Sequence, residues 1–218
     1  MSVRDLLRDN DERFLGIARR FSAADWSGPS LCERWTNHEV LAHVVVGLSA
    51  PLHSVTGAMF RNRGSFDAAN AEMAAVLAAV RSPAALLDDF GRLSRTPKGL
   101  GRYFPSRLLL GDHVTHELDM VLALGLEPQI PPDVLVAVLN TQVAMPNPFV
   151  PAFRNSRGLR LRATDAAWRN GERGPVVEGR AADLVSVLGN RPKVLPRLSG
   201  DGVALLEVRL SPPTRTGG

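Results

Sequence analysis

Along the first part of the chain Val3, Leu6, Leu7, Phe14, Ile17, Ala18 and Phe21 recur at spacings near three and four, which predicts an amphipathic helix beginning after Ser2. The segment Asp25-Trp26-Ser27-Gly28-Pro29-Ser30 then breaks the pattern with Gly and Pro and reads as a loop. Thr36-Asn37-His38-Glu39 has the form of a capping box. The Thr36 hydroxyl can accept from the amide of Glu39 while the Glu39 carboxylate reaches back. A second helix is expected from Asn37 to about Phe60, kinked or broken at Pro51. A third spans Phe66 to Val80 behind Ser65, and a shorter one starts at Ser82-Pro83 and runs to about Leu93. After a Gly-, Pro- and Arg-rich loop over 95–102, Pro105 opens a long helix that continues from Ser106 to Leu124 and stops at Gly125. Pro132 to Val143 adds a further helix. Helices of this length joined by short loops predict a bundle.

After about Pro151 the period changes. Leu159, Leu161 and Ala163 alternate with Arg160, Arg162 and Thr164, the period of two of a half-buried strand. Val176-Val177-Glu178 reads as a second strand, Ala181 to Leu188 as a helix, and Val203 to Val208 as a final strand. The expected organisation is mainly α: a helical bundle over residues 1–150, then a small α+β domain over 151–218. Residues Pro212 to Gly218 are expected to be disordered.

Composition narrows the chemistry. With 44% hydrophobic and 22% charged residues the chain falls among ordinary globular proteins. No run approaches the roughly 18–20 apolar residues of a spanning helix, and residues 1–20 lack a signal-peptide core, so a cytoplasmic protein without membrane contact is expected. The net charge of +4 is spread among acidic residues with no basic stripe, which argues against nucleic acid as a partner. A single cysteine, Cys32, excludes an internal disulfide and a multi-cysteine zinc site, so a metal must rely on His and carboxylate ligands.

Such ligands occur in Asp112-His113-Val114-Thr115-His116-Glu117-Leu118-Asp119. Residues four apart share a helical face, so Asp112 and His116 can point at one ion, with a third ligand from another helix. His43, flanked by Leu41, Ala42, Val44, Val45 and Val46, is the candidate for that third position, its alternative being a core histidine bonded to a backbone carbonyl. Two histidines and a carboxylate suit tetrahedral zinc with one open position, and nickel or iron accept the same set. Asp119, three residues beyond His116, can accept from the other imidazole nitrogen and orient the ring. Glu117 and His113 project off that face. His38, in the first turn of its helix, and His53, ten residues past His43, lie too far away to join. Cys32 beside Arg34 reads either as a reactive thiol or as an unreactive buried one, and Trp26 and Trp35 as packing for the loop.

Ser30-Leu31-Cys32-Glu33-Arg34-Trp35-Thr36 followed by His38-Glu39-Val40-Leu41-Ala42-His43 resembles the approach to the metal-binding helix of the mycothiol-dependent maleylpyruvate isomerase family, whose members are DinB-like bundles. A carboxylate, a histidine four residues on and an aspartate three further fall on Asp112, His116 and Asp119, followed by Leu122-Ala123-Leu124-Gly125. Leu161 to Trp168 and Val177 to Leu184 resemble the small C-terminal domain of the same proteins. At one position the chain departs from the pattern: the family's carboxylate is usually glutamate, and Asp112 is one methylene shorter. The resemblance implies a metal-dependent enzyme using a low-molecular-weight thiol, mycothiol, as co-substrate for isomerisation or S-transfer on a small electrophilic substrate. A metal-dependent hydrolase and a non-catalytic DinB-like binding or regulatory module remain the alternatives, with a monomer or a homodimer equally compatible.

Overall fold

Ser2 with Asp5, Ser22 with Asp25 and Thr36 with Glu39 form reciprocal capping boxes, which start α1 (Val3–Ala18), α2 (Ala23–Ser27) and α3 (Asn37–Ser49). A computed structural model of the chain describes residues 1–33, 35–147 and 150–210, so the expectations for Arg34 and for 212–218 fall outside the described residues. The helix α2 occupies part of the stretch read from sequence as a loop. Ser22 captures the amide of Asp25 and gives five residues a helical start, and Phe21, expected on α1, instead packs against Trp26 at 5.2 Å between ring centroids.

Pro51 breaks the second expected helix. The helix α3 ends at Ser49 and α4 (Leu52–Arg61) begins beyond the proline. The carbonyls freed at the break are satisfied by the segment before α7: Lys98 donates to the Leu48 carbonyl at 2.8 Å and Leu100 to that of Ala50 at 3.0 Å. That approach requires glycine. At Gly99, with φ +50°, a Cβ would lie 2.1 Å from the Ala50 carbonyl oxygen, and at Gly101 one would lie 2.7 Å from that of Gly47. The remaining helices of this part are α5 (Phe66–Val80), α6 (Pro83–Leu93) and α7 (Ser106–Ala123), at the expected places. Gly125, at φ +68°, follows the end of α7.

Residues Met1–Pro128 form one compact unit, in which α3 is central, packed against α5, α6 and α7, while α1 lies against α6 and α7. Its core joins Phe14, Trp26, Leu41, Leu48, Phe90 and Met120, and Phe14 meets Phe90 edge to face.

The second unit begins at Gln129. It contains α8 (Pro132–Ala144), α9 (Ala152–Ser156), β1 (Arg160–Ala163), β2 (Arg169–Asn170), β3 (Val176–Gly179), α10 (Ala181–Leu188) and α11 (Val203–Leu210). The sheet order is β2-β1-β3, with β1 antiparallel to β2 and parallel to β3 in the register Leu161↔Val177. Every residue of α10 is buried, and α8 packs against it. That packing places α8 in this unit, although the sequence reading put it in a bundle ending at 150. The change of period near Pro151 marks where strands begin and not where the unit begins.

The last expected strand is a helix. Its buried residues, Leu206 and Leu210, are four apart, as one face of α11 requires. The sheet edge it would have joined is occupied: Glu178 and Ser199 exchange backbone hydrogen bonds at 2.8 Å beside β3, and Gly202 donates to the Val176 carbonyl, also at 2.8 Å. Among the described residues no helix is long and apolar enough to cross a membrane.

Candidate metal centre

His43 stands on α3 two turns after the Thr36 cap, in the stretch where Leu41, Ala42, Val44 and Val45 are buried. Asp112, His116 and Asp119 stand on α7, a helix buried on nearly all sides from His113 to Val121. The structure brings one ligand atom each of His43, Asp112 and His116 within 4.8 Å of one another. His116 Nε2 lies 3.6 Å from Asp112 Oδ1, and the His43 and His116 rings meet edge to face at 4.7 Å. Ligands about 2.0–2.1 Å from a tetrahedral zinc are roughly 3.3–3.4 Å apart, and the 3.6 Å between His116 Nε2 and Asp112 Oδ1 is close to that spacing despite the short arm of the aspartate. Trp35 lies against both imidazoles, at 5.0 Å from His43 and 6.5 Å from His116. Asp112 is the exposed member, with 40% of its side chain accessible against 10% for His116.

Asp119, fully buried, has Oδ2 3.0 Å from His116 Nδ1, the position expected for a group that orients the ring. Burial works against a charge on His116, but the carboxylates of Asp112 and Asp119, with the Cys32 side chain, outweigh it and push its pKa up to about 10. Without an ion the imidazole therefore carries a proton at neutral pH, and an ion must displace it. Calorimetric titration of metal-free protein with zinc at pH 7, in buffers of different ionisation enthalpy, is expected to show proton release from this site. Affinity should fall as pH is lowered. Binding that releases no protons would contradict the arrangement.

Another face of α7, about 100° round the helix, carries a second polar cluster, which the sequence reading missed. His113 Nδ1 lies 2.8 Å from Asp11 Oδ1, both side chains being buried. Glu117, with 1% of its side chain exposed, takes two 2.6 Å bonds from the Arg13 guanidinium and a longer one from Asn10. A sequence signal existed. Asn10 and Asp11 follow Leu6 and Leu7 by four residues and so occupy positions on the apolar stripe of α1, where an inward polar side chain needs a partner.

His38 lies elsewhere, with Nε2 2.9 Å from the Arg81 carbonyl, and His53 is on α4 beyond the Pro51 break. Cys32, half-buried, lies beside the centre, a placement the sequence reading did not make: its sulfur, a His116 nitrogen and an Asp119 oxygen lie within 4.8 Å of one another.

Comparison with known proteins agrees with this architecture. Residues 7–96, from α1 through α6 and including His43, match the family model described as the mycothiol maleylpyruvate isomerase N-terminal domain. No protein of curated function matches the sequence. The crystal structure of the mycothiol-dependent maleylpyruvate isomerase is similar, with a TM-score of 0.58, 19% identity and 91% of each chain covered. A histidine-to-alanine mutant of it matches with the same TM-score and coverage at 18% identity. The chain thus carries the mainly α fold of the mycothiol-dependent maleylpyruvate isomerase, with residues 7–96 similar to the N-terminal domain of that family.

Proposed function

We propose that the chain is a metal-dependent enzyme that uses a low-molecular-weight thiol, mycothiol, to isomerise a small electrophilic substrate or transfer sulfur to it. The observation that carries this reading is the proximity of His43, Asp112 and His116 in a bundle whose residues 7–96 match the family's N-terminal domain model. A divalent ion held there, zinc in the first instance, would lower the pKa of a thiol and present its sulfur as a nucleophile. Two neutral imidazoles and one carboxylate would leave a net single positive charge at the centre, which suits an anionic sulfur. Asp119, accepting from Nδ1 of His116, leaves Nε2 as the donor atom. Trp35 shields the imidazoles. The exposure of Asp112 supports an approach for small molecules on its side.

In isomerisation the sulfur adds to one carbon of a conjugated double bond, the resulting single bond rotates, and the sulfur leaves with the thiol regenerated. In S-transfer the carbon–sulfur bond is kept and the thiol is consumed. The test is elemental analysis of protein purified without chelator, followed by assays of maleylpyruvate isomerisation and of thiol consumption with added mycothiol. One divalent ion per chain and turnover only with thiol are expected. Absence of a stoichiometric ion overturns the reading, and turnover without thiol points to a hydrolase instead.

A further inference from the structure

The two ring nitrogens of His116 face different donors. Nε2 lies 3.6 Å from Asp112, which groups with His43, whereas Nδ1 lies 3.0 Å from Asp119, which groups with Cys32. The Cys32 side is built as firmly as the other. The Cys32 amide donates to Ser30 Oγ at 3.1 Å, and the Ser30 hydroxyl is within 3.1 Å of the Cys32 carbonyl. The neighbouring Leu31 amide donates to the Asp119 carbonyl at 3.0 Å, which ties the turn carrying the thiol to the turn of α7 carrying the carboxylate. Thiol, imidazole and carboxylate are thus held together by backbone contacts before any ion arrives.

We propose that Cys32, His116 and Asp119 form a second metal site, for a thiophilic ion such as cadmium or zinc, on the Nδ1 edge of the imidazole shared with the His43–Asp112 set. Charge favours it in this position. A thiolate, a neutral imidazole and a carboxylate neutralise a divalent ion completely, as a site around the fully buried Asp119 requires. Soft sulfur selects thiophilic ions, whereas the nitrogen and oxygen donors on the other edge do not. Binding forms the sulfur–metal and Nδ1–metal bonds and releases two protons to water, one from the thiol and one from the imidazolium. A neutral imidazole has one lone pair and one N–H, so the two sets compete: an ion on Nδ1 leaves the proton on Nε2, where Asp112 accepts it, and an ion on Nε2 leaves it on Nδ1, where Asp119 accepts it. The two aspartates exchange roles with the tautomer. This site does not require the other set to be catalytic.

The chain has one cysteine, so a sulfur-to-metal charge-transfer band reports Cys32 alone. Full-length protein stripped of metal is titrated with cobalt(II) and with cadmium(II) and followed in the near ultraviolet. The band is expected in the wild type and in Asp112→Ala, which removes a metal donor of the other set alone, and is expected to vanish in Cys32→Ser. Cadmium affinity should fall in Cys32→Ser by more than the roughly 10–100-fold that loss of a supporting group costs, and in Asp112→Ala, which removes only the acceptor facing Nε2, by no more than that. Stoichiometric ion without a sulfur band in the wild type overturns the second site and leaves the proposed function standing. Failure to bind any ion overturns both. Loss of the band in Asp112→Ala also overturns the second site, because it makes Cys32 a donor to the first.

Discussion

Arg13→Ala is expected to destabilise the protein by about 3–5 kcal/mol near neutral pH, the range found when one partner of a buried ion pair is removed. Glu117 is the reason. It is enclosed between α1 and α7, where its oxygens take two short bonds from the Arg13 guanidinium and a long one from Asn10. Burial already raises its pKa, since desolvation outweighs the lowering by Arg13. A raised carboxyl pKa in the folded state means that the folded state holds the proton more tightly than the unfolded one. The contribution of Glu117 is then most favourable below its ordinary range and declines as pH rises through its folded pKa. Removing Arg13 raises that pKa further, so the deficit of the variant should be smallest in acid and grow toward neutral pH. Urea unfolding followed by tryptophan fluorescence between pH 4 and 8 measures this. Adding Glu117→Leu to Arg13→Ala should restore part of the loss, because an apolar side chain at 117 leaves no unpaired buried charge. A deficit below about 1 kcal/mol at neutral pH, or one that shrinks as pH rises, would show that the pair does not bear on stability in this way.

His116→Ala is expected to abolish metal retention while leaving the helical content of the protein in place. His116 is the only member common to both donor sets, so its removal takes the nitrogen from each edge and also leaves Asp119 without the imidazole it faces. Asp119→Asn is the graded comparison. It keeps the size of the side chain and weakens only the acceptor behind Nδ1, with an expected loss of roughly 10–100-fold in zinc affinity. Dialysis against a zinc buffer followed by elemental analysis, with circular dichroism to confirm folding, separates the two. Stoichiometric zinc in His116→Ala would sink the assignment of the centre.

What the sequence made legible was local. The Thr36–Glu39 box, the Pro51 break, the Gly125 stop and the four-residue spacing of Asp112 and His116 depend on neighbours along the chain, and each is in place in the structure. What it hid was set by partners distant in sequence. Val203 to Val208 is a short apolar run whose period cannot distinguish strand from helix, and it is settled by Ser199 having taken the edge of β3. The helix α8 reads like one more member of the bundle until α10 is seen against it. Glu117 and His113 lie off the Asp112–His116 face, as expected, but their destination on α1, more than a hundred residues earlier, is invisible in local spacing.

The backbone at Gly99 and Gly101 presses on the end of α3, and the same segment leads directly into α7. The span between the two helices that carry His43 and His116 is therefore measured twice, once across the core and once along this pinned stretch. The gauge of the centre resides in two residues that have no side chain at all.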